Sequence, residues 1–323
     1  MSVYFRVDGN FEIGMGHFVR CVSIAQILKT KYNICFILHN TNEQLISNYL
    51  LDKFNYKNTS FNNEWLSLLT KNDIVVLDGY KFTIQDQKEI KATGAKLVLI
   101  DDFTHDVSVA DAVINHQLYA TAADYKSKTN AILCLGANYL MIRNSFIKSK
   151  KNKVVPSQCK SVFLCLGGSG LEAETKAIIE KLILINGIEK ISLLVGETFE
   201  GSKPDILKID NRIKIYQSLS DLEVIDLIND SDIGIVIAST IAYEALYLNL
   251  PLLLFFDTPL QVNFYNSLCK VQNVLGLGLI DDVKDIDFLN QIEVLLDLNA
   301  VGKGVFDNFS PNNFIDLFDK LSV

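Results

Sequence analysis

The sequence predicts an α/β protein built from two doubly wound halves, and three observations carry that reading. Short β-rich apolar runs alternate with helical patterns along most of the chain. A polar stretch at 147–160 breaks the rhythm, which then restarts. The 323 residues, 49% of them hydrophobic, can fill two such cores and are too many for one small one. Continuous apolar strands separated by helices indicate parallel sheets covered on both faces, because a strand buried on both sides has no reason to alternate with polar residues.

Taken in order, residues 3–7 read as the first strand. A loop follows, then a helix over about 16–29 with apolar Val19, Val22, Ile24, Ile27 and Leu28. Residues 33–38 form the second strand. Thr41 and Gln44 have the spacing of a capping box before another helix. Strands at 73–77 and 96–100 flank a helix starting near Thr83, and strands at 113–115 and 131–133 complete the first sheet. Beyond the linker come strands at 161–166, 190–195, 213–216, 233–237 and 252–256, with helices between them. A last helix over about 312–321 is expected to cross back toward the first half. The domains are drawn at 1–150 and 151–323, two Rossmann-like halves facing a cleft, because open parallel sheets bind ligands at the carboxyl ends of their strands.

Composition narrows the function. A net charge of −8 argues against general nucleic-acid binding, which needs a basic face. The one basic cluster, at 148–153, reads as a solvated linker. The six cysteines form no CxxC pair and mostly sit in apolar runs, which suits free thiols in the cytoplasm. The chain opens directly into a strand without a signal-like segment, and its longest apolar run, about 250–256, is far short of a membrane span.

Three groups of residues can carry chemistry. Gly14-Met15-Gly16-His17 follows the first strand at the mouth of a helix, where glycines admit a ligand close to the backbone and N–H groups are free. No third glycine follows at dinucleotide spacing. His17 is the candidate general base, since imidazole can take a proton from water; capping or packing is its plainer use. Asp78-Gly79-Tyr80 and Asp101-Asp102 end successive strands, where each is a candidate site or simply a polar turn. No histidine or third carboxylate lies at ligand spacing, so no metal is expected. In the second half, the N–H groups of Gly167-Gly168-Ser169-Gly170 can cradle a phosphate, and Ser239-Thr240 opens a helix after a neighbouring strand. Glu244, one turn on, can accept both hydroxyls of a ribose, or is an ordinary early-helix acid favoured by the dipole. His39, His105 and His116 lie near strand ends without a nucleophile beside them.

Together these residues resemble a known family. Arg6-Val7-Asp8-Gly9-Asn10, Ile13-Gly14-Met15-Gly16-His17 and Arg20-Cys21 resemble the opening of the UDP-2,4-diacetamido-2,4,6-trideoxy-β-L-altropyranose hydrolases of pseudaminic acid biosynthesis and the related SpsG-like proteins. The resemblance continues through Asp78-Gly79-Tyr80, Asp101-Asp102, Asn115-His116 and Arg143 to Gly167-Gly168-Ser169, Ser239-Thr240 and Glu244. Its C-terminal part is shared with GT-B glycosyltransferases. The resemblance implies a GT-B fold, with UDP held mainly by the second half, and hydrolysis without metal or cofactor to UDP and free sugar. It implies His17 activating water, Tyr80 orienting water or sugar, and Asp78 beside them. Substrate would meet Gly14, Gly16, Arg20, Asn115, Arg143, Gly167, Gly168, Ser169, Ser239, Thr240, Glu244 and Gln261. Two positions depart from the family: Gly170 replaces a frequent acid, and Leu260 stands before Gln261 where asparagine is usual. They leave the exact sugar open. The alternatives are a glycosyltransferase and a non-catalytic sugar-nucleotide-binding protein. An acceptor- or lipid-docking helix would favour the first, and no basic-apolar helix of that kind stands in the first half.

Overall fold

The computed structural model describes residues 1–10, 15–59, 63–103, 109–150, 157–167, 171–196, 210–298 and 305–322. It divides into two compact units. The first comprises 1–144 with 308–323, and the second comprises 145–307.

The first unit holds a seven-stranded sheet in the order β3-β2-β1-β4-β5-β6-β7, with every neighbouring pair parallel. Its strands are β1 (Ser2–Val7), β2 (Asn33–Leu38), β3 (Asn55–Asn58), β4 (Ile74–Asp78), β5 (Lys96–Ile100), β6 (Ala112–Asn115) and β7 (Ile132–Leu135). β4 and β6 are buried at every position, which explains their unbroken apolar runs. The strand order reverses between β1 and β4. The helix Gly16–Leu28 enters there, directly after the chain leaves β1. A reversal of strand order opens a crevice at the carboxyl ends of the two strands.

The second unit repeats the plan with six parallel strands, β10-β9-β8-β11-β12-β13. They are β8 (Ser161–Cys165), β9 (Lys190–Val195), β10 (Ile213–Gln217), β11 (Ile233–Ile237), β12 (Leu252–Phe256) and β13 (Val274–Leu279). Here the reversal lies between β8 and β11. Ile178, Ile179 and Leu182 of the helix Glu172–Leu182 pack on Val162, Leu193 and Ile235 in the core of this unit.

Several expectations change. The final helix, Asn312–Leu321, returns to the first unit as expected, so the second unit ends at 307 rather than running to 323. It packs against the helix Gly16–Leu28, and Asp319 accepts hydrogen bonds from Lys31 Nζ (2.6 Å) and Tyr32 Oη (2.5 Å). The expected Thr41/Gln44 box is not formed: Asn42 is the cap, accepting from the Gln44 N–H at 2.7 Å. β3 and β13 are strands that the sequence reading passes over. All six cysteines are free. No helix among the described residues is long and apolar enough to cross a membrane.

Candidate active site

The carboxyl ends of β1, β4, β5 and β6 bring together Asp8, Asp78, Asp102 and Asn115 with the start of the helix Gly16–Leu28. Asp78 is the last residue of β4 and is 1% exposed. Its Oδ1 lies 2.7 Å from His17 Nδ1 and accepts from Arg20 Nη2 at 2.6 Å. Its Oδ2 accepts from Arg20 Nε at 2.7 Å and from the Cys21 thiol at 3.4 Å. Burial alone would raise the Asp78 carboxyl. Arg20 and His17 overcome that and hold it below its ordinary value. It is therefore a carboxylate, able only to accept.

This orients His17. A nitrogen 2.7 Å from a carboxylate oxygen must bring the hydrogen itself, so Nδ1 is protonated and Nε2 is the ring nitrogen left to exchange a proton. Arg20 Nη2 also lies 2.9 Å from Nδ1. Both nitrogens are donors converging on Asp78 Oδ1, which accounts for their proximity without a hydrogen bond between them. Imidazole, carboxylate and guanidinium are thus locked, and the ring keeps one basic nitrogen.

Arg20 lies one helical turn after His17 and is 8% exposed. Nη1 donates to both oxygens of Asp102, at 2.8 and 2.9 Å, while Nε and Nη2 hold Asp78. Burial would weaken its hold on a proton, but Asp102 and Asp78 reverse this and keep it charged. Arg20 was expected at the substrate. Instead, two carboxylates on adjacent strands occupy its guanidinium. Tyr80 Oη donates to Asp102 Oδ2 at 3.0 Å, and its ring meets that of His17 edge-on, 4.4 Å between centroids. Tyr80 is 62% exposed overall. Desolvation of the hydroxyl and the adjacent Asp102 push the phenol up, so it remains a donor. Asn115 is fully buried: its amide nitrogen donates to Tyr125 Oη at 2.8 Å and its oxygen accepts from the Gln117 N–H at 3.0 Å. It braces the site from beneath. Arg143 is partly buried, at the edge of this unit.

The sequence reading gave no role to Gln117, Tyr119, Tyr125 or His116. Gln117 Nε2 donates to Asp102 Oδ1 at 3.4 Å, Tyr119 Oη to the Asp102 carbonyl, and Tyr125 Oη to Asp101 Oδ2 at 2.8 Å. Burial, with Arg20 nearby, pushes His116 down to about 4. All four follow the end of β6, and that position was the available signal.

Gly16 is exposed, and a Cβ there would meet nothing within 4 Å. Neither packing nor its backbone angle demands glycine. Gly14 and His105 lie outside the described residues. Among the described residues, no group of three His, Cys, Asp or Glu side chains could hold a metal ion.

In the second unit, Gly167 leaves β8 with φ +97°, a conformation suited to glycine, and its position falls beside Ile237 of the neighbouring β11. Gly168, Ser169 and Gly170 lie outside the described residues. Ser239 precedes the helix Thr240–Tyr247, and its hydroxyl does not cap that helix. An uncapped first turn of this kind offers N–H groups and a positive dipole end to an anion. Glu244, in the same helix, is 2% exposed. Gln261 is turned back on its own backbone, its Oε1 accepting from the Asp257 N–H at 2.7 Å.

MurG of Acinetobacter baumannii superposes with a TM-score of 0.64 at 10% identity, covering 99% of each chain. A UGT transferase of Siraitia grosvenorii, solved with UDP, superposes with a TM-score of 0.61 at 11% identity, covering 100% of each. The chain is thus a GT-B-type α/β protein. In sequence it is a distant relative of the SpsG-like proteins. The spore coat polysaccharide biosynthesis protein SpsG of Bacillus subtilis is 23% identical over 92% of this chain and 89% of its own length. The UDP-2,4-diacetamido-2,4,6-trideoxy-β-L-altropyranose hydrolase of Campylobacter jejuni is 26% identical over 84% of this chain and 93% of its own. An uncharacterised protein of Methanocaldococcus jannaschii is 27% identical over 95% of this chain, which spans 65% of that relative's length. No protein-family model matches the chain.

Proposed function

We propose that the protein is a cytoplasmic enzyme that hydrolyses a UDP-activated amino or deoxy sugar at its anomeric carbon, in the biosynthesis of pseudaminic acid or a related surface glycan. The observation that carries this is the His17–Asp78 pair. An imidazole anchored through Nδ1 at 2.7 Å to a buried carboxylate keeps Nε2 as a proton acceptor. The distant relatives named for a UDP-sugar hydrolase and for polysaccharide biosynthesis support the substrate class.

In this reading, Nε2 of His17 takes a proton from water as the water oxygen bonds to the anomeric carbon. The bond from that carbon to the β-phosphate oxygen breaks, and its electron pair leaves with UDP. Asp78 holds the ring and stabilises the imidazolium, which later returns its proton to solvent. Tyr80, a protonated phenol edge-on to His17, orients the water or the sugar. The second unit holds the nucleotide: Gly167, Gly168, Ser169, Ser239 and Thr240 bind the diphosphate, Glu244 the ribose, and Gln261 lies nearby. Gly14, Gly16 and Arg143 contact substrate. Neither metal nor cofactor takes part.

Release of UDP from a panel of UDP-sugars, with no acceptor added, tests this. The wild type releases UDP with chelator present. His17→Asn lowers kcat by about 10²–10⁴ while UDP affinity is retained. Turnover that requires an added acceptor alcohol would make the protein a transferase, and UDP binding without turnover would make it a binding protein.

A further inference from the structure

We propose that Asp102, which makes no hydrogen bond to His17, is a positioning residue for both catalytic groups. It holds Arg20 against Asp78, holds Tyr80 beside the His17 ring, and supplies the charge that an imidazolium cancels. The inference rests on the reading of His17 as the base.

Strand register places the two carboxylates. Asp78 pairs with Ile100 across β4 and β5, so Asp102 stands two residues past the partner of Asp78, where one guanidinium can span both carboxylates. Arg20 does so with four short contacts of 2.6–2.9 Å to the two acids. Asp102 Oδ2 also accepts from Tyr80, whose ring is otherwise largely exposed. Without Asp102, the phenol has no other described hydrogen bond to fix it edge-on to His17.

Charge adds a second effect. One guanidinium between two buried carboxylates leaves a single net negative charge next to a neutral imidazole. When His17 accepts a proton, the cluster becomes neutral. Because these side chains are buried, their charges are weakly screened, and this favours formation of the imidazolium as the reaction proceeds. The neighbouring groups do not titrate in competition. Burial beside Asp78 pushes the Cys21 thiol up, Tyr80 is pushed up, and His116 lies at about 4. Asp78 is held down and Arg20 up, so none of them changes charge near neutrality.

The test is ¹⁵N-imidazole NMR on the full chain across pH, without substrate. Asp102→Asn keeps the shape and removes the charge. The His17 titration midpoint falls by about one unit, the scale for losing an opposite charge nearby. An unchanged midpoint overturns the inference. Asp102→Glu keeps the charge but moves the Tyr80 contact. It retains the midpoint and lowers kcat about tenfold with little change in KM. Wild-type kcat in Asp102→Glu would also overturn the inference, and this variant decides the matter if the asparagine form does not fold. If the wild type releases UDP from no UDP-sugar, the hydrolase reading fails, whereas the midpoint in Asp102→Asn judges the charge coupling separately.

Discussion

Replacing Asp78 by asparagine alters the site at its centre with almost no change in volume. The carboxylate now accepts from His17 Nδ1, Arg20 Nη2, Arg20 Nε and the Cys21 thiol. An asparagine has one acceptor oxygen and an NH₂ group that can only donate. If the NH₂ faces Arg20 Nε, two donors oppose each other. If it faces His17, Nδ1 must become the acceptor, the proton moves to Nε2, and the base is lost. Both arrangements damage catalysis. Where asparagine replaces the aspartate of a serine-protease triad, the wrong tautomer costs about 10⁴ in kcat. Here we expect a fall of about 10²–10⁴, with UDP affinity unchanged because the proposed nucleotide site lies in the other unit. The stability cost should be about 1–3 kcal/mol, the range for leaving a buried polar group unsatisfied. It stays below the roughly 3–5 kcal/mol for breaking a buried ion pair outright, since Asp102 still neutralises Arg20. Steady-state UDP release gives the first number, urea unfolding the second, and NMR the tautomer. Wild-type kcat with Nδ1 still protonated would refute the claim that Asp78 sets the base.

Three further outcomes follow from the same structure. Gly16→Ala adds a methyl that meets no protein atom, so it should raise stability by about 0.4–1 kcal/mol while raising KM; a KM unchanged from wild type would take Gly16 away from the substrate. Glu244→Ala should weaken UDP binding by about 1–3 kcal/mol in calorimetry, and unchanged affinity would remove it from the nucleotide site. His116 falls from an ordinary 6.5 to about 4 in the folded chain. The unfolded chain therefore binds this proton first as pH drops, and stability declines from pH 6.5 to pH 4 by on the order of 3 kcal/mol. Asp8, held at about 2 against burial by Arg6 and Lys81, adds its own loss only below pH 4, and a His116→Asn protein should show a flatter thermal-melting profile over the upper window.

Much of the fold was legible because buried parallel strands write themselves as unbroken apolar runs, as in β4, β5 and β11. β3 was not, since Asn55–Asn58 is an exposed edge strand of polar residues. β13 was not, since Gly276 and Gly278 interrupt its pattern. The return of the last helix was expected, but its contacts were not: Asp319 meets Lys31 and Tyr32, almost three hundred residues away in sequence. In the site, His17, Asp78 and Tyr80 could be found from their places at strand ends and a helix start. Their pairing could not. Arg20 was expected at the substrate, yet its guanidinium spans two carboxylates 58 and 82 residues away. Periodicity and spacing carry no trace of such contacts. Asp102 illustrates the same limit: one of an acidic pair in sequence, it is the acceptor for Arg20, Tyr80 and Gln117 in the fold.

The central claim is that water, directed by His17, attacks the anomeric carbon of a UDP-sugar. Incubating the protein with its best UDP-sugar in oxygen-18 water, then following both products by mass spectrometry, tests this most directly. The account predicts one heavy oxygen in the hydroxyl at the sugar's anomeric carbon, none in UDP, and loss of that labelling in step with kcat in His17→Asn. Label in the phosphate of a nucleotide product, or labelled sugar formed at the wild-type rate by His17→Asn, would contradict it.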